Sequence, residues 1–327
     1  MISIGRRAGL GCVVAVLMAV AGLPALAQNY PAKAVRIVLP FPAGGSADLI
    51  ARLVARKLGE SSGQTFVVDN RAGAAGIIGC EAVAKAPADG YTLLLGTTGT
   101  HATNPAVFAK LPYDPVKDFA AVSLVAEAPF VLLVHPSLPV KNLRELIAFA
   151  RARPGQLNYG SAGIGSSAHL GFELFNQMAG IKAVHVPCKG LGPASADTIA
   201  GVITMTWDAI PSSKPMIERG RLRALGIGSL KRSPLLPEVP TINEAGLPGF
   251  ELGSWYGLFA PTGTPAEIVR QLQRESAKAA AAADVRSQFA AMGADPVGST
   301  PEEFAAVVQR DIAKWAKVAR DVKLEKQ

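Results

Sequence analysis

The sequence predicts an α/β fold with two domains, and three observations support this prediction. Apolar runs of strand length alternate with segments of helical periodicity. A second unit of strand, glycine-rich loop and helix begins about 120 residues after the first. The chain of 327 residues is long enough to bury two separate cores.

The first unit contains a glycine-rich turn between a strand and a helix. Residues 35–39 form an apolar run, and an apolar pattern of helical spacing starts at residue 49. The Pro/Gly-rich segment 40–48 between them is therefore a turn, with Ser46 as the expected N-cap. Main-chain N–H groups at such a helix N-terminus suit an anion, and a purely structural turn is the alternative.

The first domain continues with the same alternation. Strands are predicted at residues 66–70 and 91–95, with a helix at 77–84 between them. This β-α-β-α-β order with short loops is typical of a parallel, doubly wound sheet. Ligands of such sheets bind at the carboxyl ends of the strands.

Two crossings between the domains are predicted from further strand-like runs. Runs 122–125 and 130–134 are separated by a link that ends at Pro129, where the first crossing is expected. The apolar run 252–260 is the expected return. The prediction gives domain 1 as residues 28–130 and 255–327, and domain 2 as residues 131–254.

The second glycine-rich loop, residues 160–169, follows a predicted strand and precedes a helix. It could face the first loop from the other domain. Residues 163–168 match G-x-G-x-x-A, but no acidic residue follows at the spacing of a dinucleotide site. A nicotinamide cofactor is therefore disfavoured.

Catalytic and metal-binding patterns are absent from the sequence. Ser161 misses the G-x-S-x-G motif, because Tyr159 stands at its first position, and no Walker motif occurs. The four histidines are not spaced with Cys, Asp or Glu as metal ligands are. We therefore expect no enzyme activity, no metal and no cofactor.

Three polar side chains each have a structural and a functional interpretation. His169, in the first turn after the second loop, would either fix that loop or contact an anionic ligand. Asp48 would compete with an anion at the helix N-terminus, so we expect it to fold back and order the first loop. Asp208, at the end of a strand, is the acid expected in the cleft, where it would accept a ligand hydroxyl or amine, unless its role is structural.

The first 27 residues have the pattern of a secretory signal peptide. Arg6 and Arg7 precede an apolar stretch at 10–23, and a small-x-small site precedes cleavage after Ala27. The stretch is too short to span a membrane. We therefore expect a periplasmic protein, exported by either the general or the twin-arginine route.

The charge pattern argues against nucleic acid as a partner. The formal charge of +8 would fall to +6 without Arg6 and Arg7, and the basic residues are scattered instead of clustered. Nucleic acid binding is disfavoured. Cys80 and Cys188 have no partner at C-x-x-C spacing and are expected to be unpaired, Cys80 as a buried apolar residue, although a long-range disulfide remains an alternative.

Two C-terminal helices begin with the same signature. A Thr in the N-cap position, Pro at the next position and Glu two residues later occur at 264–267 and at 300–303. The last helix carries an apolar face that runs from Phe304 to Ala319 and is expected to pack against the core.

Several segments in order resemble the Bug (TctC-like) family, the extracytoplasmic substrate-binding proteins of tripartite tricarboxylate transporters. The resemblance covers essentially the whole mature chain. It rests on the segments 42–48, 73–79, 86–94, 159–170 and 186–193.

The resemblance implies a two-domain periplasmic binding protein of the type II-like, Venus-flytrap kind, each domain a mainly parallel sheet flanked by helices. A small mono- or dicarboxylate would be held between the two loops by main-chain N–H groups. Thr98 and Thr100 would form the floor, and His169 and Asp208 would lie near the far end of the ligand. The implied ligand-binding residues are Phe41, Pro42, Ala43, Gly44, Gly45, Asp48, Thr98, Thr100, Ser161, Ala162, Gly163, Gly165, Ser166, His169 and Asp208.

The resemblance also implies a partner, the membrane subunits of a tripartite tricarboxylate transporter, for a monomeric receptor. One departure concerns Cys188, where the family usually has Tyr, and it leaves the identity of the ligand open. The alternatives are a ligand-sensing protein without a transporter and a secreted α/β enzyme that acts on a carboxylate.

Overall fold

One mixed sheet runs through the part of the chain that the computed structural model describes, residues 30–326. The predicted signal peptide lies outside the described residues. Eight strands follow the order β2-β1-β3-β9-β4-β7-β5-β6, and β8 and β10 both pair with β4. The strands are β1 Val35–Leu39, β2 Phe66–Asn70, β3 Thr92–Thr97, β4 Phe119–Val134, β5 Asn158–Ser161, β6 Val184–Pro187, β7 Met205–Ala209, β8 Arg223–Ile227, β9 Gly253–Pro261 and β10 Asp295–Pro296.

Helices cover the sheet, and those at residues 46–62, 77–84, 167–179, 266–281 and 301–321 lie where helices are predicted. They are α1 Ser46–Ser62, α2 Ile77–Ala84, α3 Asn104–Val107, α4 Leu143–Ala152, α5 Ser167–Ala179, α6 Leu191–Ile199, α7 Ile210–Glu218, α8 Ile242–Ala245, α9 Ala266–Ala281, α10 Ala283–Met292 and α11 Pro301–Asp321. In the described residues, none of them is long and apolar enough to cross a membrane.

The sheet has two halves, which we call lobe 1 and lobe 2. Lobe 1 contains β1, β2, β3, β9 and β10, and lobe 2 contains β5, β6, β7 and β8. In both lobes the strands joined by helical crossovers are parallel, as predicted. The strands that enter and leave a lobe, β4 and β9, run antiparallel to their neighbours, so each half is mixed instead of mainly parallel.

Strand β4 belongs to both lobes. The prediction of two separate strands at 122–125 and 130–134 is wrong, because residues Phe119–Val134 form one continuous strand. Its partner changes in the middle: residues up to Pro129 pair with β9, and residues from Phe130 pair with β7 and β8. Pro129 fits here because its ring fixes φ at a value that a strand can adopt. It has no N–H to donate, and it lies at the point where β4 changes partners.

Aromatic side chains fill the centre of each lobe. In lobe 2, Trp207 stacks on Phe250 with ring centroids 5.5 Å apart. In lobe 1, His101 stacks on Phe259 at 4.0 Å, and Phe304 of α11 lies 4.7 Å from the same ring. These rings are buried, and Cys80 is a buried free thiol on α2, as predicted.

The two helix-start signatures have different outcomes. At α11 the capping box is present, with Thr300 accepting from the N–H of Glu303. At α9 the prediction is wrong by one residue, because Pro265 occupies the N-cap position and the Thr264 hydroxyl donates to the carbonyl of Pro261 instead.

Gly257 on β9 lets α11 approach the sheet. A Cβ atom at this position would lie 1.8 Å from Cζ of the buried Phe304. We expect Gly257→Ala to destabilise the protein by about 1–3 kcal/mol through overpacking. Denaturant unfolding would measure this, and Phe304→Leu in the same chain should recover part of the loss. A Gly257→Ala variant as stable as the parent would contradict this packing.

Candidate ligand-binding site

A cleft of about 620 Å³, including its open mouth, lies between the two lobes. Its wall has apolar and neutral polar groups, and no Lys, Arg, His, Asp or Glu side chain lines it within the described residues. Lobe 1 contributes residues 41–43 and 45–47, Thr97, Gly99, Ser254 and Tyr256; lobe 2 contributes Ala162, residues 166–168 and residues 191–193; and Phe130 lies where β4 passes between the lobes.

The first loop leads from β1 into α1 and brings the N-terminus of α1 to the cleft. Gly45, and not Ser46, is the N-cap, and no side chain caps this helix. The N–H groups of Ser46 and Ala47 therefore have no acceptor within the helix. Both residues line the cleft, so these donors are available to an anion.

Asp48 folds back beneath this loop, as expected. Its carboxylate accepts hydrogen bonds from Gly44 N (3.0 Å), Arg52 Nε (2.9 Å) and Asn70 Nδ2 (3.0 Å). Burial alone would raise the pKa of Asp48, but these hydrogen bonds outweigh it and lower the pKa. The N–H of Gly44, at φ +89°, thus serves the loop, and Gly44 and Asp48 lie behind the cleft wall.

The second loop leads from β5 into α5 and is held by its own side chains. The Ser161 hydroxyl accepts from Gly163 N (3.1 Å), and Ser166 Oγ donates to the carbonyl of Gly163 (2.7 Å). Ser166 also caps α5 by accepting from His169 N. Ala162 and Ser166 line the cleft, and Ser161, Gly163 and Gly165 lie behind it.

Of the two roles that the sequence allows for His169, fixing the second loop or contacting a ligand, the structure shows the first. Its Nδ1 accepts from Gly165 N at 3.2 Å, and its ring stacks on His185 with centroids 4.0 Å apart. His185 in turn lies 2.7 Å from Ser161 Oγ. Burial lowers the pKa of His169 to about 4, and burial followed by the neighbouring His169 lowers the pKa of His185 to about 3. Both rings are neutral at pH 7 and brace the loop from behind.

The floor of the cleft is formed by the residues next to those predicted. Thr98 accepts from Trp255 N (3.0 Å), and Thr100 accepts from Thr97 N (3.0 Å), so both hydroxyls hold the turn after β3. Thr97 and Gly99 are the residues of this turn that line the cleft.

Asp208 is buried at the end of β7 and does not line the cleft. It accepts from Ser195 Oγ (2.7 Å), Ser212 Oγ (2.7 Å) and the main-chain N–H of Ala209 (2.8 Å). Burial raises its pKa, and these three hydrogen bonds oppose that change.

Sequence reasoning missed three parts of the wall: Phe130 of β4, the residues of β9 and the start of α6. Ser254 and Tyr256 come from β9, which the sequence marks only as a return strand, and Leu191 begins α6. The N-cap of α6 is Gly190, without a side-chain cap, so a third helix N-terminus with free N–H groups reaches the cleft. The glycines at 190 and 192 were the available signal.

The lobes touch each other around the cleft. A Cβ atom at Gly190 would lie 3.0 Å from Cδ of Pro42, and the hydroxyls of Ser46 and Ser212 are 2.8 Å apart. Thr103 of lobe 1 also donates to the carbonyl of Gly165 in lobe 2. The structure is therefore a closed form, in which each loop faces the other lobe.

Comparison with known proteins gives the same architecture. The model of the tripartite tricarboxylate transporter family receptor (TctC) matches residues 50–324. The protein BugT of Bordetella pertussis is 40% identical over 312 residues, which cover 94% of this chain and 96% of BugT. The structure of R. palustris Rpa4515 with adipate is 43% identical, with TM-score 0.89, over 91% of this chain and all of that one. MatC of Rhodopseudomonas palustris, with bound malate, is 37% identical, with TM-score 0.84, over 88% of this chain and 99% of MatC.

Two lobes closed over a cleft that offers main-chain donors define a solute-binding protein with the two-domain periplasmic binding fold, which confirms the predicted fold class. The chain belongs to the TctC family, the receptors of tripartite tricarboxylate transporters, as its motifs indicated. It is a periplasmic solute-binding receptor of that family and not an enzyme.

The buried histidines make stability depend on pH. Burial lowers the pKa of His101 to about 3, that of His169 to about 4 and that of His185 to about 3. Below the ordinary pKa of about 6.5, the unfolded chain takes up protons that the folded chain does not. The free energy of unfolding should therefore be highest above about pH 6.5 and fall as the pH drops towards 4. Each histidine would contribute a decrease of up to about 1.4 kcal/mol per pH unit.

Denaturant unfolding between pH 4 and 8 would measure this dependence. His169→Asn keeps an acceptor for Gly165 N and removes one titrating group, so its stability should fall less steeply with acid than that of the parent. Equal slopes for the two proteins would contradict the buried, neutral state of His169.

Proposed function

We propose that this chain captures a small mono- or dicarboxylate between its two glycine-rich loops. The observation that carries the proposal is that two helix N-termini meet in a cleft without charged side chains: that of α1, which has no side-chain cap, and that of α5, which Ser166 caps. A carboxylate accepts several short, charge-assisted hydrogen bonds from such N–H groups. A cationic side chain is not needed, because the helix dipoles favour negative charge at this place.

The solved structures support this ligand class. Rpa4515 was solved with adipate and MatC with malate, and both are small dicarboxylates. In this chain the direct contacts would come from residues 41–43, Gly45, Ala162 and Ser166, which line the cleft. The other predicted residues (Gly44, Asp48, Thr98, Thr100, Ser161, Gly163, Gly165, His169 and Asp208) would act from behind by fixing the loops.

Closure of the lobes would bury the ligand. The predicted domain boundaries, after residue 130 and before residue 255, lie close to the place where β4 changes partners and Leu252 bonds to both Phe130 and Gly228. We infer that this pair of crossing segments is the hinge. A rotation there would separate Ser46 from Ser212 and open the cleft.

Family membership supports the remaining parts of the proposal. The mature chain would begin at Gln28 after removal of the signal peptide, and it would work in the periplasm as a monomer. In its closed form it would present the ligand to the membrane subunits of a tripartite tricarboxylate transporter.

Native mass spectrometry of protein taken from the periplasm would test these statements together. We expect a monomer whose chain begins at Gln28 and which carries a small acid lost on unfolding. Uptake of that acid should fail in cells that lack the chain, since a sensing protein would leave uptake intact. A dimer, a longer chain or a bound cation would each contradict the corresponding statement.

Gly163→Val tests the second loop. Gly163 has φ +114°, and a Cβ atom there would lie 3.3 Å from the carbonyl oxygen of Cys188 and 3.8 Å from Ala75 across the cleft. A β-branched residue should distort the loop and prevent closure. We expect the variant to lose the thermal stabilisation, and the decrease in radius of gyration in solution scattering, that the copurified acid gives the parent.

Gly155→Val is the matched control. Gly155 also has a positive φ, +78°, but lies on the surface of lobe 2, and a Cβ atom there would have no neighbour within 4 Å. This variant should have the same kind of backbone strain and still be stabilised by the acid. If Gly163→Val responds as the control does, the loop does not hold the ligand.

A further inference from the structure

Asp208 is connected to the cleft by a chain of hydroxyl groups. Its Oδ1 accepts from Ala209 N and from Ser212 Oγ, and Ser212 Oγ lies 2.8 Å from Ser46 Oγ. Asp208 and Ser212 belong to lobe 2, whereas Ser46 is the first residue of α1 in lobe 1 and lines the cleft. The chain therefore crosses from a buried carboxylate to the wall of the binding site.

The direction of these hydrogen bonds follows from their chemistry. Burial raises the pKa of Asp208, but the carboxyl group lies beside the N-terminus of α7 and accepts three hydrogen bonds that favour its charged form. Ser212 has one proton and three oxygen atoms within reach: Asp208 Oδ1 at 2.7 Å, Ser46 Oγ at 2.8 Å and the carbonyl of Ala209 at 3.1 Å. The carboxylate is the strongest acceptor of the three, so the proton of Ser212 goes to Asp208. Ser212 must then accept from Ser46, because a hydroxyl donates only once.

The consequence is that the Ser46 hydroxyl has no proton left for a ligand. Its oxygen keeps two acceptor positions. Tyr256 also lines the cleft, and its one hydroxyl proton could fill at most one of these two positions. Ser46 therefore offers two different groups to the cleft. Its main-chain N–H, at the start of α1, is a donor, and its side-chain Oγ is an acceptor.

We propose that Ser46, oriented by Ser212 and Asp208, selects carboxylates that carry a hydroxyl or ammonium group on the carbon atom next to the carboxylate or one further along. The inference rests on the proposed carboxylate function. The ligand carboxylate takes the N–H groups of the loops, and its second group donates to Ser46 Oγ. Because donor and acceptor belong to one residue, the two ligand groups must be close together. Ser212 and Asp208 are positioning residues.

An acid without the second group would leave the Ser46 oxygen buried without a donor. Such a loss of a hydrogen bond in a closed site costs on the order of tenfold in affinity. Titration calorimetry of the mature protein with three matched pairs would measure this: malate and succinate, 3-hydroxybutyrate and butyrate, mandelate and phenylacetate. We expect the hydroxy acid to bind about tenfold more tightly in each pair that fits the cleft.

The outcomes separate the two proposals. Equal affinity within every pair that binds would overturn the selection by Ser46 and leave the carboxylate function standing. If none of the six acids binds, the carboxylate proposal fails, and this inference fails with it.

Variants of the chain of hydroxyls test its direction. In Ser212→Ala, Ser46 loses its acceptor and can turn its proton into the cleft, so the affinity ratio within a pair should fall towards one while the plain acid still binds. Asp208→Asn should keep the ratio, because the N–H of Ala209 holds the amide oxygen where Oδ1 now lies.

Ser213→Ala is the matched control for Ser212→Ala. Ser213 is the next residue of α7, is buried, and donates to the carbonyl of Ala209 instead of reaching Ser46. It should keep the ratio of the parent. A purely structural role of Ser212 would weaken both acids of a pair alike and leave the ratio unchanged, which would overturn the proposal.

Discussion

The two lobes depend on a single uninterrupted strand. Residues Phe119–Val134 pair with β9 in lobe 1 and then with β7 and β8 in lobe 2, so the edge of each half-sheet is built from the same backbone. The return segment before β9 is bonded to this strand at Phe130. Both connections therefore lie side by side at one end of the cleft. With the hinge proposed at this pair, the lobes would move by a rotation that brings the loops together at the other end.

The cleft replaces side-chain charge by main-chain geometry. The nearby ionisable groups are used inside the protein: Asp48 orders the first loop, and the stacked pair of His169 and His185 braces the second. Each loop is thereby fixed before a ligand arrives, so little ordering entropy is lost on binding. The cost is the burial of Asp48 and of two neutral imidazoles, and hydrogen bonds from Arg52 and Gly165 offset part of it.

Much of the fold could be predicted from the sequence because local patterns decide it. Strands β1 and β2 and helix α2 have the predicted bounds, since Gly and Pro residues punctuate clear apolar runs. Strand β4 was wrongly predicted as two strands. Pro129 suggests the end of a strand as long as the two partner strands of β4 are not known. The N-cap of α1 was misplaced by one residue for a related reason: the Ser46 hydroxyl bonds across the cleft to Ser212, a partner 166 residues away.

Both glycine-rich loops reach the cleft, whereas several of the individual residues expected in contact with a ligand lie behind its wall. Residues 41–43 and Gly45 reach the cleft because the turn that joins β1 to α1 is short and allows few backbone conformations. The sequence does not show which face of the turn after β3 is inward, so Thr98 and Thr100 were chosen where Thr97 and Gly99 line the wall. Asp208 was expected in the cleft, but tertiary packing places Ser195 and Ser212 around it.

The use of main-chain N–H groups at the helix starts has a consequence for how such a receptor can change. An N–H group is present whatever the side chain, and only proline removes it. Mutations of Phe41, Ala43 or Leu191 would reshape the wall while leaving the donors of α1 and α5 in place. Under the proposed function, the hold on one end of the ligand would survive such mutations, and the rest of the pocket could change to fit other acids while binding is retained.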